Sequence, residues 1–211
     1  MRLPAPHWLW GVLPLLACAG LGIISACAPT HPLGAKPDAS PGPTASAFPN
    51  IILLTQDNKQ VRFYDDLVKG KTVLVDFIYT SCEKSCSATT ANLARVHGLL
   101  GDRVGRDLFL LSISLDPTVD RPKILKEYSS RFGQFQGWYF LTGNEAEIDG
   151  LRRKLGLYDI DPVLDADKTQ HAGTVVVGND ATNRWSAMPA LMDPRQLAQA
   201  VLRIARNGSS F

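Results

Sequence analysis

The sequence predicts an α/β domain with a central mixed sheet, flanked by helices and preceded by an N-terminal β-hairpin. Residues 72–79 and 108–115 are almost wholly apolar, which is typical of central strands buried on both faces. Segments with the apolar spacing of helices follow these strands, and turn-rich hairpins stand near both ends of the domain. Helices that alternate with buried strands indicate the α/β class.

Seven segments are predicted as strands because they are short, apolar and bounded by turn residues: 51–55, 61–64, 72–79, 108–115, 138–141, 174–177 and 185–188. The turn residues 56–59 separate the first two segments, so these are expected to form a hairpin. The last two are expected to form another hairpin, with its turn at Gly178-Asn179-Asp180.

Four helices are predicted from their start signals. The first begins near Cys82, directly after the first buried strand. Asp120 is expected to cap the second helix, and Thr142 to open a capping box with Glu145 for the third. Asp193 is expected to cap the last helix, with a proline at its first position. Together with the strands, this order of helices fits a thioredoxin-like fold.

The N-terminal part of the chain does not have the composition of a folded domain. Residues 1–27 hold a basic start and an uncharged apolar run, typical of a secretory signal or a short membrane anchor. The run ends in what looks like a bacterial lipoprotein cleavage box with Cys27 as the acylated residue, although a box ending at Cys18 is an alternative. The proline-rich residues 28–49 are predicted to be a tether, and residues 50–211 to be the exported domain.

The remaining composition is that of one globular domain. About 160 residues follow the tether, enough to bury a proper core. The net charge of the chain is +2, and acidic and basic residues are interspersed, so nothing in the charge pattern indicates a nucleic-acid partner.

Two cysteines, Cys82 and Cys86, remain for the exported domain once Cys18 and Cys27 are assigned to the leader. If the first helix begins near Cys82, their spacing places both thiols on one face, about one turn apart. Such a pair suits either two soft ligands for one metal ion or a reversible disulfide. A disulfide closing so short a loop adds little stability, so the pair is predicted to serve chemistry.

The domain resembles the Sco/SenC family of copper proteins, which have a thioredoxin-like fold. The resemblance covers roughly residues 50–207 and rests on three motifs and one histidine. They are Phe-Ile-Tyr-Thr-Ser-Cys-Glu-Lys-Ser-Cys at 77–86, Ser-Leu-Asp-Pro-Thr-Val-Asp-Arg-Pro at 114–122, Trp-Tyr-Phe-Leu-Thr-Gly at 138–143, and His171 before an apolar strand.

The resemblance implies that Cys82, Cys86 and His171 bind copper, as Cu(I) or Cu(II). It implies a partner in the CuA subunit of cytochrome oxidase or another copper acceptor, and a periplasmic copper donor or thiol reductant. The domain would then face the bacterial periplasm, held at the membrane through its N-terminus. Asp116 and Asp120 resemble a family acidic pair near the site, although capping alone accounts for Asp120.

Thiol–disulfide exchange is the alternative function, so whether the protein is an enzyme stays open. Asp76 lies six residues before Cys82 in an apolar strand, the spacing found in thioredoxins, which the chain resembles there. A buried carboxylate with a raised pKa could accept a proton from the second thiol, whereas an exposed or salt-bridged Asp76 would have no such role. A copper donor can also reduce its partner, so the two functions are compatible.

Overall fold

The computed structural model describes residues 48–81, 85–166 and 173–206. These residues form seven strands: β1 (Ile52–Thr55), β2 (Gln60–Arg62), β3 (Thr72–Ile78), β4 (Leu108–Ser114), β5 (Trp138–Gly143), β6 (Thr174–Asn179) and β7 (Arg184–Pro189). They also form five α-helices: α1 (Ser85–Leu100), α2 (Pro122–Ser130), α3 (Glu145–Lys154), α4 (Pro162–Ala166) and α5 (Pro194–Ile204). Over these ranges, no helix is both long and apolar enough to cross a membrane. The predicted leader with Cys27 lies outside the described residues, as do most of the tether, Cys82 and His171.

The strands form one mixed sheet in the order β2-β1-β5-β4-β3-β6-β7. At its centre β3, β4 and β5 are parallel, whereas the outer strands pair antiparallel with their neighbours. All seven residues of β3 are buried, as the apolar composition of this segment predicts. The predicted mixed sheet and its N-terminal hairpin, β1-β2, are confirmed.

The second strand of this hairpin is shorter than predicted, because Phe63–Val68 form a π-helical turn. The Asn50 side chain accepts hydrogen bonds from two amides of this turn, and Asp66 accepts one from the Arg62 amide. These side chains compete with the strand ladder for backbone donors. The prediction that residues 61–64 are all strand is therefore wrong beyond Arg62.

The C-terminal hairpin turns later than predicted. β6 continues through Gly178 to Asn179, and the chain reverses afterwards, with Asn183 in the left-handed region at φ 48°. Gly178 pairs with Trp185 of β7, and a Cβ atom on the glycine would lie 2.1 Å from the indole ring. The glycine thus makes room for an aromatic side chain and is not part of the turn.

Of the caps predicted for α3 and α5, the cap of α5 is confirmed and that of α3 is wrong. The Asp193 carboxylate accepts hydrogen bonds from the amides at the start of α5, as predicted. α3 is capped by Asn144, whose side chain accepts from the Glu147 amide. Thr142 cannot cap this helix because β5 extends through Gly143.

Alternate residues of β3 face two apolar clusters on opposite sides of the sheet. Leu74 and Ile78 pack in the cluster that includes residues of α1, α2 and α5, whereas Val73 and Val75 pack in the cluster that includes α3. Since side chains alternate along a strand, Asp76 points to the same side as Leu74 and Ile78. Its carboxyl group is therefore on the α1 side of the sheet.

Candidate metal centre

Three strands bring their ends together at one edge of the sheet. β3 and β4 are parallel with Ile78 opposite Ser114, so their carboxyl ends lie side by side. β6 is antiparallel to β3 with Val175 opposite Asp76, so its first residue, Thr174, lies at the same end. We call this end, defined by Ile78, Ser114 and Thr174, the carboxyl edge. In α/β folds it is the usual position of functional sites.

Of the three predicted metal ligands, only Cys86 belongs to the described part of the chain. Cys82 follows Ile78 by four residues and His171 precedes Thr174 by three, and neither is among the described residues. The arrangement of both thiols on one helix face therefore stays a prediction. Among the residues that the structure describes, no three His, Cys, Asp or Glu side chains are grouped to hold a metal ion.

Cys86 lies in the first turn of α1 and is buried, with Tyr79 packed against it. Its carbonyl oxygen accepts a hydrogen bond from the Thr90 hydroxyl at 2.9 Å. Because that hydroxyl has one proton, the Tyr128 hydroxyl, 2.8 Å away, donates to Thr90 Oγ1. Burial raises the pKa of Tyr128 to about 12, so the phenol keeps its proton at neutral pH. These bonds connect α2 to the turn that contains Cys86.

Asp76 takes part in a buried chain of hydrogen bonds. The Trp138 indole nitrogen lies 2.9 Å from Ser112 Oγ, which lies 2.6 Å from Asp76 Oδ1. Since an indole N–H can only donate, Ser112 accepts from Trp138 and donates its own proton to Asp76. Asp76 Oδ2 has no hydrogen-bond partner among the described residues.

This environment changes the acidity of Asp76. Burial raises the pKa of Asp76 to about 7, although the hydrogen bond from Ser112 lowers it. A carboxyl group of this acidity gains and loses its proton near neutral pH. Of the two interpretations that the sequence leaves open for Asp76, the buried carboxyl agrees with its 1% exposure.

The Asp120 carboxylate does not cap α2, so that prediction is wrong. The N-cap residue is Arg121, and its side chain makes no capping bond. Asp120 is fully buried and accepts hydrogen bonds from the Thr80 amide at 3.0 Å, Thr80 Oγ1 at 2.5 Å and Ser114 Oγ at 2.6 Å. The Asp120 carboxylate therefore accepts from these donors at the carboxyl edge and not from the amides at the start of α2.

Two further residues whose side chains could bind a metal ion, His97 and Met188, pack within the fold. The His97 ring lies 4.9 Å from the Phe135 ring, and its Nε2 is 2.9 Å from the Gln136 carbonyl oxygen. Met188, in β7, packs against the apolar cluster on the α1 side. Both side chains therefore contribute to the packing of the fold.

The buried ion pair between Arg152 and Asp165 and the short helix α4 are not predicted from the sequence. A helix of five residues is too short to show a helical periodicity in the sequence. One signal was available, because Arg152 follows Ile148 by four residues and therefore lies on the apolar face of α3. An arginine on that face needs a buried acidic partner.

The chain matches one protein family over most of its length. The family model described as SCO1/SenC matches residues 46–206. A putative copper-binding protein of Stutzerimonas stutzeri is 30% identical over 149 residues, which cover 67% of this chain and 69% of the relative. Matches to several other curated relatives span about half of their length.

Two solved structures share the fold. The copper-bound ScoI of Bradyrhizobium japonicum superposes with a TM-score of 0.58 and 26% identity, covering 72% of this chain and 96% of that chain. BsSco, a protein with a disulfide switch in the Sco family of cytochrome c oxidase assembly proteins, superposes with a TM-score of 0.57 and 25% identity, covering 74% and 91%. The thioredoxin-like fold predicted from the sequence is confirmed. On the family match and the shared fold, the chain belongs to the SCO1/SenC family.

Proposed function

We propose that this protein is a copper metallochaperone in which Cys82, Cys86 and His171 bind the copper ion. The strand register carries the proposal, because β3 ends and β6 begins at the carboxyl edge. The segment with both cysteines follows β3, and the segment with His171 precedes β6. Both segments therefore leave the sheet at the carboxyl edge. This supports the proposal that the two thiolates and the imidazole bind the same ion.

The donor chemistry favours copper over a structural zinc ion. Thiolates are soft ligands that suit Cu(I), and an imidazole adds affinity for Cu(II). The first turn of α1, where Cys86 lies, favours the thiolate form through the helix dipole. Three donors leave one side of the ion open for transfer, whereas structural zinc is closed by four ligands. The copper-binding description of the Stutzerimonas stutzeri relative and the copper in Bradyrhizobium japonicum ScoI support the same metal.

The proposed acceptor is the CuA subunit of cytochrome c oxidase or another copper site, and the proposed supplier is a periplasmic copper donor or thiol reductant. The description of BsSco as a cytochrome c oxidase assembly protein supports this direction of transfer. Residues 1–27, lipidated at Cys27, and the tether 28–49 would hold the domain 50–211 at the periplasmic face of a bacterial membrane.

Copper titration of the full-length protein in detergent tests the ligand set. The reduced protein is expected to bind copper tightly, and Cys82→Ser, Cys86→Ser and His171→Ala are each expected to lose most of the affinity. His97→Ala is the matched control, because His97 is engaged in packing and should leave copper binding unchanged. Unchanged binding in His171→Ala would contradict the three-ligand site.

A second function, thiol–disulfide exchange, is favoured by Asp76. In this reaction the Cys82/Cys86 dithiol passes two electrons and two protons to a partner disulfide and becomes a disulfide itself. With a pKa of about 7 and an Oδ2 atom without a partner among the described residues, Asp76 is suited to accept the proton of the second thiol.

Reduction of an oxidised CuA domain by the copper-free protein tests this second function. Asp76→Asn is expected to slow the reduction at pH 7 and to leave the copper affinity unchanged, because the amide cannot accept a proton. Equal rates for the wild type and Asp76→Asn would remove Asp76 from the reaction. No reduction by the wild type would leave copper transfer as the only function.

A further inference from the structure

We propose that Asp120 is a positioning residue that sets the copper affinity by holding the turn that leads into Cys82. The inference rests on the proposed copper function. Asp120 acts through Thr80, which precedes Cys82 by two residues, and not through contact with the ion.

Asp120 uses both carboxylate oxygens for this contact. Oδ2 accepts a hydrogen bond from the Thr80 amide at 3.0 Å, and Oδ1 accepts one from Thr80 Oγ1 at 2.5 Å. Hydrogen bonds to a charged acceptor are about twice as strong as bonds between neutral groups. Because one bond reaches the main chain and the other the side chain, both the position and the orientation of Thr80 are restricted.

The carboxylate itself is held at the carboxyl edge. Oδ2 also accepts a hydrogen bond from Ser114 Oγ, at the end of β4. The Asp120 amide donates to the Asp116 carbonyl at 2.8 Å, and the Asp116 amide donates to Ser114 Oγ at 2.9 Å. The loop that carries Asp120 is therefore closed onto β4, so the carboxylate has little freedom to follow Thr80 if the turn moves.

Thr80 lies in the segment that connects β3 to Cys82. β3 ends at Ile78, and Ser81 alone stands between Thr80 and Cys82. A change in the backbone conformation at Thr80 is therefore expected to alter the position of Cys82, because only one residue separates them. Loss of the hydrogen bonds to Asp120 would make the turn next to the predicted thiolate ligand less restrained.

The helix turn with Cys86 and the turn that precedes Cys82 are held by different contacts. Cys86 is held in α1 through Thr90 and Tyr128, whereas Asp120 restrains the turn before Cys82. By restraining this turn, Asp120 would influence the distance between the two sulfur atoms. Groups that orient metal ligands in this way typically change the affinity about 10- to 100-fold when they are mutated.

Asp120→Asn in the full-length protein tests the inference, because it keeps the size of the side chain and removes its charge. The Cu(I) affinity is expected to fall about 10- to 100-fold, measured by competition with a chromophoric chelator. The sulfur-to-copper absorption of the Cu(II) form is expected to shift, since it depends on the position of the thiolate. In the copper-free protein, the Thr80 amide is expected to exchange its hydrogen with water faster than in the wild type.

Thr80 offers a second variant in case Asp120→Asn does not fold. Thr80→Val removes the bond from Oγ1 and keeps the bond from the amide, so a smaller loss of copper affinity is expected. Thr80→Ser keeps the hydroxyl, so its copper affinity is expected to be close to that of the wild type. Equal affinities in Thr80→Val and the wild type would overturn the positioning role.

Asp180 supplies a matched control at the other end of β3. Its carboxylate accepts a hydrogen bond from the Gly70 amide at 2.8 Å, in the turn that enters the strand, as Asp120 does in the turn that leaves it. Asp180→Asn is expected to lower the stability of the protein and to leave the copper affinity unchanged. The pair of variants therefore separates loss of stability from loss of ligand position.

The outcomes distinguish the inference from the function on which it rests. Wild-type affinity in Asp120→Asn, or an equal loss in Asp180→Asn, would overturn the positioning role and leave the copper function intact. Failure of the wild-type protein to bind copper would overturn the proposed function and the inference with it.

Discussion

The guanidinium of Arg152 forms a two-pronged ion pair with Asp165, with Nη1 2.6 Å from Oδ1 and Nη2 2.8 Å from Oδ2. The two side chains are only 5% and 4% exposed. Arg152 also donates to Asp149 and to the Leu157 carbonyl, so this one group connects α3, the following loop and α4. His171 follows Asp165 by six residues, so the pair anchors the chain shortly before this predicted ligand.

Arg152→Met is expected to reduce the free energy of unfolding by about 3 kcal/mol, because the Asp165 carboxylate loses its buried partner and keeps only the half-exposed Arg153 as a cation. Urea unfolding measures the change. The double variant Arg152→Met/Asp165→Leu removes both charges and is expected to recover much of the lost stability. A double variant as unstable as the single one would contradict this account.

Arg153→Met is the control for this prediction. Arg153 contacts the same carboxylates, those of Asp149 and Asp165, but is 49% exposed. Water screens exposed ion pairs, so a much smaller loss of stability than in Arg152→Met is expected. Equal losses in the two variants would show that burial does not determine the contribution of the pair.

Asp76 is expected to make the protein less stable as the pH rises from about 4 to about 7. Its pKa is about 7 in the folded protein and 3.8 ordinarily, so the folded state binds more protons than the unfolded state in this window. The stabilising contribution is fully present below the ordinary pKa and is lost as the pH rises through the folded value. The difference is on the order of 4 kcal/mol.

Unfolding free energies of the wild type and Asp76→Asn, measured across this pH range, test the prediction. Since the amide does not titrate, the variant is expected to gain stability relative to the wild type as the pH rises. Asp107→Asn provides a control: the hydrogen bond from Arg103 lowers the pKa of Asp107 below its ordinary value of 3.8, so the difference between this variant and the wild type is expected to stay nearly constant from about pH 4 to about pH 7. A constant difference between the wild type and Asp76→Asn would contradict the raised pKa.

Gly178→Ala is expected to destabilise the protein by about 1–3 kcal/mol, because the new methyl group would overlap the Trp185 ring. Gly150→Ala is the matched control, since this glycine lies within α3 and has nothing within 4 Å of an added Cβ atom. It is expected to stabilise the helix by about 0.5–1 kcal/mol. Thermal unfolding of both variants measures the effects, and a stabilised Gly178→Ala would contradict the role of the glycine beneath the indole.

The sheet could be predicted from the sequence because strands that are buried on both faces consist mostly of apolar residues. β3 and β4 are apolar almost throughout, and their neighbours alternate with helices of recognisable spacing. The element ends were less predictable, since side-chain caps such as those of Asn50 and Asn144 compete locally with the ladder.

The polar contacts of the site could not be predicted, because their partners are distant in sequence. Asp120, two residues before a proline, carries the same local signal as an N-cap, yet its donor Thr80 is 40 residues away and becomes a neighbour only through the sheet. Ser112 reaches Asp76 because the parallel register sets them opposite each other, which neither strand indicates alone. Burial of a carboxyl group can be inferred from an apolar run, but its hydrogen-bond partners cannot.

Oxidation of the Cys82/Cys86 pair is expected to abolish copper binding. Forming the disulfide removes two electrons and two protons, and the resulting sulfurs lack the thiolate charge that binds Cu(I). Copper competition assays on the reduced, oxidised and re-reduced protein measure the effect. Mass spectrometry of the peptide that contains both cysteines verifies the disulfide, because its formation lowers the mass by two hydrogens. Cys86→Ser cannot form this disulfide, so its residual affinity is expected to be insensitive to the oxidant. Copper retained by protein whose pair is fully oxidised would show that ligands other than these thiolates hold the ion.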